Sequence, residues 1–287
     1  MTDSFLVEPK ARQRPSHRRR SVFVTGAAGR IGSYFAAHAH EKYDLTLMDR
    51  PEADISEISD YGEVVRFPLG ELEQLKQATN GHDTVLHLAA NPAPDATWDS
   101  VLQDNIIGTY NTFVAARAGG CRRIVYASSI HAVSGYPLDR QVQSDDPVNP
   151  GDLYGVSKCF AEALARMLAE QQGLSAIAIR IGAFQPVQRA RRPEDVSLAN
   201  AFISQRDLQQ LIERCIDDET LRFGIFHGLS SNLFNRMDIS EARELLGYEP
   251  QDSFLEEHPR LRETGVQEQV RPHSERGGQE SGIREEL

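Results

Sequence analysis

A chain of 287 residues has room for one large α/β domain or two smaller ones, with a sizeable buried core. Its 40% apolar and 25% charged residues are close to ordinary globular usage. A formal net charge of −11 argues against nucleic acid or an anionic membrane as partner, although one local arginine can still hold a small anionic substrate.

In chain order, residues 1–20 are polar, carry Arg18, Arg19 and Arg20, and lack apolar periodicity; they read as a disordered basic tail. Residues 21–25 (SVFVT) predict a buried strand and 30–41 a helix. A second strand is expected at 45–48, a helix at 72–78 and a third strand at 84–88 (TVLHL). A helix over 105–118 follows, then a strand at 123–127 (RIVYA), a long helix over 153–171 and a strand at 176–180 (AIAIR). Continuous β-rich runs alternating with helices are what a parallel sheet covered on both faces requires. Right-handed crossovers then give an α/β, doubly wound sheet. Beyond Arg180 the pattern loosens to a helix at 207–216, a short strand at 223–227 and a helix over 239–246 stopped by Gly247. This portion, about 183–255, is too small to stand alone and is expected to cap the sheet where ligands bind. From Glu256 onward Glu, Arg, Gln, Gly and Ser dominate, so 256–287 reads as a disordered polar tail and 21–255 as the domain.

The three cysteines, Cys121, Cys159 and Cys215, are widely spaced and form no CxxC pair. They argue against a disulfide framework or structural zinc and fit a reducing compartment; no metal site is expected. No apolar run approaches the roughly 20 residues that span a bilayer, and the N-terminus lacks the apolar segment of a secretory signal. A cytoplasmic protein is the expectation.

The first predicted strand runs into Gly26-Ala27-Ala28-Gly29-Arg30-Ile31-Gly32, followed by a helix. Such glycines let the backbone turn tightly and approach a pyrophosphate, whose charge sits at the helix N-terminus. The loop therefore predicts a dinucleotide, held by Gly26, Ala28, Gly29, Arg30, Ile31 and Gly32. The second strand ends at Asp49, where a carboxylate accepts the ribose hydroxyls of NAD and repels the 2′-phosphate of NADP. Arg50 beside it reads as a surface ion pair, so NAD is expected over NADP.

Tyr154 and Lys158 stand four apart on a predicted helix and share one face. A free tyrosine titrates near 10, too high for a base at neutral pH, and a neighbouring ammonium is expected to stabilise its phenolate. The glycine spacing, His87-Leu88-Ala89-Ala90, Asn105-Ile106-Ile107-Gly108-Thr109, Tyr126-Ala127-Ser128-Ser129, Tyr154-Gly155-Val156-Ser157-Lys158 and Arg180-Ile181-Gly182 occur in one order over about 21–250. In that order and spacing the chain resembles the extended branch of the short-chain dehydrogenase/reductase superfamily. The resemblance implies a Rossmann domain and catalysis by Ser129, Tyr154 and Lys158, with Asn105 in a water-linked supporting role. It also implies cofactor contacts from Leu69, Leu88, Ala89, Ala90, Asn105, Tyr154, Lys158 and Ile181. The family pattern, aligned on Ile130-His131, selects Ser129 over Ser128.

Within that branch, Ser128-Ser129-Ile130-His131 and the run from Leu153 to Phe160 are similar to uronate dehydrogenases and related sugar dehydrogenases, and the segment from Pro94 to Leu102 to the sugar-phosphate members. This implies oxidation of C1 of a cyclic sugar, uronic acid or sugar phosphate to a lactone, with hydride passing to NAD. His131 and Asn91 would meet substrate beside Ser129. An anion-binding arginine falls among Arg189, Arg191 and Arg192, of which Arg192 is chosen. Departures from the uronate pattern are Ala183 and Pro92 where it has serines, and Pro68 in place of an adenine-contacting aspartate. Three alternatives stay open: a nucleotide-sugar epimerase with tightly bound NAD, a dehydratase, and a non-catalytic NAD sensor. Ile130 and His131, in place of an Asp-Glu pair, weigh against dehydration. The helices at 105–118 and 153–171 are candidates for a homodimer through a four-helix bundle.

Overall fold

The glycine-bounded apolar runs become the strands of one sheet. The computed structural model describes residues 5–7, 19–93 and 96–262, so Pro94 and Asp95 of the sugar-phosphate-like segment lie outside the described residues. In chain order the elements are β1 (Phe5–Val7), β2 (Arg20–Thr25), α1 (Arg30–Ala39), β3 (Tyr43–Asp49), β4 (Glu63–Arg66), α2 (Leu72–Thr79) and β5 (Thr84–His87). There follow α3 (Trp98–Ser100), a π-helical stretch (Val101–Ile107), α4 (Gly108–Ala118), β6 (Arg123–Ser129) and α5 (Leu153–Gln172). The chain continues through β7 (Ser175–Ile181), β8 (Ala183–Gln185), α6 (Val187–Ala190), β9 (Phe202–Ser204), α7 (Gln205–Asp217), β10 (Leu221–Gly228), α8 (Ser240–Leu246), α9 (Phe254–Glu257) and α10 (Pro259–Arg262).

The sheet order is β4-β3-β2-β5-β6-β7-β10-β1, parallel throughout except for the antiparallel edge pair β1–β10. Successive residues of a strand point to opposite faces, and this period sorts the core into two layers. Val22, Val24, Leu86, Val125, Ile177 and Ile179 face α1 and α7, where Phe35, Leu208 and Ile212 meet them. Phe23, Val85, Ile124, Tyr126, Ala176 and Ala178 face α4 and α5, against Phe113, Ala161, Ala165 and Leu168. The long helix α5 begins where the Asp152 side chain accepts the Gly155 N–H and stops at Gly173, which takes the left-handed conformation at φ 72°.

From β2 the chain moves outward to β3 and β4, then returns to the other side of β2 with β5. That reversal opens a crevice at the carboxyl ends of β2 and β5, the place where doubly wound sheets bind ligands. The portion after β7 adds the two-stranded parallel pair β8–β9 beside that same edge, with Ala183 opposite Phe202.

Two expectations about the ends are corrected. Phe5–Val7 is not a disordered tail but an edge strand on β10, and β2 opens at Arg20, whose guanidinium bridges Asp83, Asp217 and Glu219. A three-residue edge strand needs only main-chain pairing, so it leaves no periodic signature. At the other end the ordered chain continues past Glu256 through α10: Phe254 and the fully buried His258 stack, and Phe254 packs on Phe202 and Ala190. Among the described residues no helix is long and apolar enough to cross a membrane.

Candidate active site

The glycine loop is built to touch its surroundings through backbone alone. Gly26 sits at φ 70°, and a Cβ there would lie 2.7 Å from the Ala89 nitrogen; one on Gly32 would lie 2.4 Å from the Gly26 oxygen. The first turn of α1 therefore closes onto the end of β2, and the loop after β5 closes onto both. Gly29 caps α1 without any side-chain acceptor, so the first-turn N–H groups are left to face an anion. Asp49, at the carboxyl end of β3, accepts from the Ala28 N–H at 2.9 Å and the Arg50 N–H at 2.8 Å. This set of donors, cradles and one carboxylate fits a dinucleotide. Leu88 continues the β2 ladder by donating to the Thr25 oxygen, and Leu69 packs under Gly108 while its carbonyl accepts from Asn111. Ile181 ends β7 opposite Ser129, and Ala90 lies in the loop after β5. Arg30 and Ile31 open α1, but the Arg30 guanidinium donates to the Phe184 carbonyl at 2.6 Å and to Gln185 Oε1. Its side chain thus ties the glycine loop to β8, which leaves its main chain for a cofactor.

The cofactor choice gives a first prediction. Asp49→Ala should cut the preference for NAD over NADP, as the ratio of kcat/KM values, by about tenfold or more, because the repelling charge goes. An unchanged ratio would remove Asp49 from the ribose site.

At the other end of the crevice, β6 delivers Ser129 and α5 delivers Tyr154 and Lys158. Lys158 is fully buried and donates to the Ala127 carbonyl at 2.7 Å. Its ammonium lies over the rings of Tyr126 and Tyr154, 4.7 and 5.3 Å from their centroids. Burial pulls its pKa down to about 7, opposed by the charge of Glu162. Burial pushes Tyr154 up to about 12, against a hydrogen bond from Ser129, and Asp152 adds to the rise. The sequence led us to expect a phenol acidified by the ammonium; here desolvation outweighs that, and the ammonium addresses a carbonyl and two aromatic faces. Beneath the lysine, the buried His87 bridges Thr25 (2.7 Å) and Thr109 (3.1 Å), and burial holds its pKa down near 3.

The two adjacent serines part company. Ser128 donates to Glu162 Oε1 at 2.6 Å, and Arg180 grips the same buried carboxylate through Nε (3.0 Å) and Nη2 (2.9 Å). Ser129 lies on the Tyr154 side, where its Oγ accepts the His131 N–H at 3.2 Å. Ser129→Ala should therefore lower kcat by about 10²-fold or more, as loss of a donor to the reacting oxygen does. Ser128→Ala should leave kcat within about threefold and cost about 1–3 kcal/mol of unfolding free energy through the lost hydrogen bond to the Glu162 carboxylate, whose Oε1 keeps Arg180 Nε. The reverse pattern, read by steady-state kinetics and denaturant melts, would exchange the roles.

Asn105 is buried, and its side chain is spent on main chain and helix: Oδ1 accepts the Asn91 N–H at 2.8 Å, and Nδ2 donates to the Asn91 carbonyl and to Ser157 Oγ, both at 3.1 Å. The Ser157 hydroxyl donates to the Tyr154 carbonyl at 2.6 Å, so Asn105 braces the turn that carries Tyr154. Asn91 uses its own amide within its loop, donating to Ser100 and accepting from Ala93. Arg189 pairs with Asp195 and Arg191 with Glu257. Arg192 is exposed and acts on Asp195 only at a distance. Sequence reasoning passed over Asp152, whose second oxygen holds His131 at 2.6 Å, and Ser157, Tyr126 and the Glu162–Arg180 pair. An aspartate three residues before the glycine of the Tyr-Gly pair was the legible sign of the first. The π-helical stretch around Asn105 left no sign in composition.

Comparison with known proteins agrees with this geometry. The model of the NAD-dependent epimerase/dehydratase family matches residues 22–206. An NAD-dependent glucose-6-phosphate dehydrogenase of Haloferax volcanii is 35% identical over 251 residues, covering 82% of this chain and 94% of the relative. A uronate dehydrogenase of Agrobacterium fabrum is 32% identical over 232 residues, covering 81% and 84%. The crystal structure of a mutant uronate dehydrogenase from Agrobacterium tumefaciens complexed with NAD superposes with a TM-score of 0.74 at 30% identity, over 90% of this chain and 92% of that one. The chain belongs to the NAD-dependent epimerase/dehydratase family, of the extended short-chain dehydrogenase/reductase type.

Proposed function

We propose that this protein oxidises C1 of a cyclic sugar, uronic acid or sugar phosphate to the lactone. The observation that carries the reading is the meeting of Ser129, Tyr154 and Lys158 at the same sheet edge as the glycine loop and Asp49. Bound NAD supplies the hydride acceptor. Ser129 donates to the C1 oxygen, and Tyr154 takes the hydroxyl proton as the C1 hydrogen leaves with its electron pair; lactone and NADH result. Lys158 and the main chain of the loops after β2 and β5 hold the cofactor, and Asp49 its adenosine ribose. His131 contacts the sugar, and Arg192, the least committed of its three arginines, takes a phosphate or carboxylate. Ala183 and Pro92 supply no hydroxyl to that anion, while the sugar-phosphate relative stands beside the uronate ones; both bear on which sugar is used.

On this reading residues 183–255 form the substrate-binding portion of one domain that begins at β2. Exposed Tyr110, Val156 and Met167 on α4 and α5 suit pairing of two copies, and three free thiols suit the cytoplasm. The test is absorbance in the NADH band, with purified protein, NAD and a panel of aldoses, uronic acids and sugar phosphates. NADH formed with one sugar supports the reading and names the substrate. No NADH with any of them, while NAD binds, transfers the reading to an epimerase that recycles its hydride.

A further inference from the structure

Asp152 divides its carboxylate between two tasks. Oδ1 accepts the Gly155 N–H at 2.7 Å, capping α5, and Oδ2 lies 2.6 Å from Nδ1 of His131. The imidazole meets the Tyr154 ring edge-on, with centroids 5.3 Å apart and planes at 70°. Its main chain is held too: His131 N donates to Ser129 Oγ, and Ser134 Oγ donates to the His131 carbonyl, each at 3.2 Å. A Cβ on Gly155 would lie 2.3 Å from that carbonyl, so the turn after β6 is pressed against the start of α5. The ring is thereby fixed beside the tyrosine that receives the C1 hydroxyl proton. Among the described residues its Nε2 has no partner.

A carboxylate only accepts hydrogen bonds, so the hydrogen must be on Nδ1. We propose that Asp152 is a positioning residue that fixes His131 as the Nδ1–H tautomer, leaving Nε2 to accept a hydrogen bond from the substrate hydroxyl next to C1. This rests on the dehydrogenase reading and sharpens it: the site selects sugars that carry a hydroxyl at C2 and discriminates against their 2-deoxy analogues. A site built to pair with a hydroxyl rejects the analogue lacking it much more strongly than an apolar pocket distinguishes sizes.

Asp152→Asn separates the cap from the tautomer. Asparagine caps helices as well as aspartate does, and its single carbonyl oxygen serves the Gly155 N–H. Its amide N–H groups then face Nδ1, which must accept, and the hydrogen moves to Nε2. Nothing else in the change predicts a loss: removing the Asp152 charge, which raises the Tyr154 pKa, by itself eases proton removal. Two readouts decide. In 15N spectra of histidine-labelled protein at pH 8, His131 is assigned by its disappearance in His131→Gln. The wild type should show Nδ1–H and Asp152→Asn should show Nε2–H. In kinetics, kcat/KM is compared for D-glucose against 2-deoxy-D-glucose and for their 6-phosphates. The wild type should favour the hydroxyl by about 10²-fold, falling by about tenfold in Asp152→Asn, where Nε2 can only donate to the hydroxyl oxygen and the hydroxyl hydrogen loses its acceptor, with the melting temperature within about 2 °C. Asp152→Ser, which keeps a cap but drops the imidazole contact, should show both tautomers and a discrimination factor between those of the wild type and Asp152→Asn. An imidazolium or Nε2–H form in the wild type, or a discrimination factor unchanged in Asp152→Asn, would overturn the proposal. A wild type silent on every sugar overturns the dehydrogenase reading instead, and the spectra still decide the tautomer.

Discussion

Tyr154→Phe is expected to lower kcat by about 10³-fold or more while leaving the dissociation constant for NAD within about twofold of wild type. The substitution removes one oxygen from a side chain that is 8% exposed, so it opens no cavity and leaves the ring under the Lys158 ammonium. On the proposed mechanism, what disappears is the group that takes the C1 hydroxyl proton next to Ser129. Burial disfavours the charged form of both Tyr154, pushed up to about 12, and Lys158, pulled down to about 7. With the phenol raised above its ordinary value, the fraction able to take up the substrate proton grows as the pH rises. Turnover in the wild type should accordingly rise with pH from neutral into the alkaline range, and the variant should show a flat residual rate. Loss of NAD binding in Tyr154→Phe, measured by fluorescence or calorimetry, would mean that the phenol is structural.

The same pair shows how far sequence reasoning reaches. The strands and helices that carry the site were legible because a buried parallel strand leaves a continuous apolar run, and a glycine that admits no Cβ leaves a glycine. Gly26, Gly32 and Asp49 are read directly in that way, as are Tyr154 and Lys158 by their spacing. Where Lys158 points is not a property of spacing. Four residues on a helix put it on the Tyr154 face, yet its ammonium reaches the Ala127 carbonyl because β6 passes beneath α5. Nor does spacing reveal what occupies Ser128: strand alternation turns it toward Glu162, a residue 34 positions away, which accepts its hydroxyl. Edge strands β1 and β4 were missed: β4 has no buried residue, and main-chain pairing along an edge is indifferent to side-chain type. Arg30 was read as a cofactor contact from its place in the motif, while its side chain serves the junction with β8.

Lys158→Met should abolish turnover and at the same time stabilise the fold. Lysine and methionine are close in length, and the Lys158 ammonium donates to the Ala127 carbonyl, with the Glu162 charge near enough to favour it. An ammonium there costs the folded state the difference between its ordinary 10.5 and about 7. Its sign follows from proton counts. Between pH 7 and 10.5 the unfolded chain keeps the lysine proton and the folded chain has lost it, so wild-type stability rises with pH across that window. Below pH 7 both states carry the proton and the folded state bears the full penalty, at most about 5 kcal/mol at 1.36 kcal/mol per pH unit. Methionine in turn leaves the buried Ala127 carbonyl without its lysine donor, which costs about 1–3 kcal/mol. The net gain in the variant is then about 2 kcal/mol at pH 6, a melting temperature about 5 °C higher without cofactor. That advantage should shrink steadily as the melts are repeated toward pH 10. A destabilised Lys158→Met at pH 6, or a gain that ignores pH, would show that the ammonium is a structural asset. The outcome expected here, a more stable and inactive protein, makes Lys158 a charge kept at the fold's expense, with catalysis as the function that retains it.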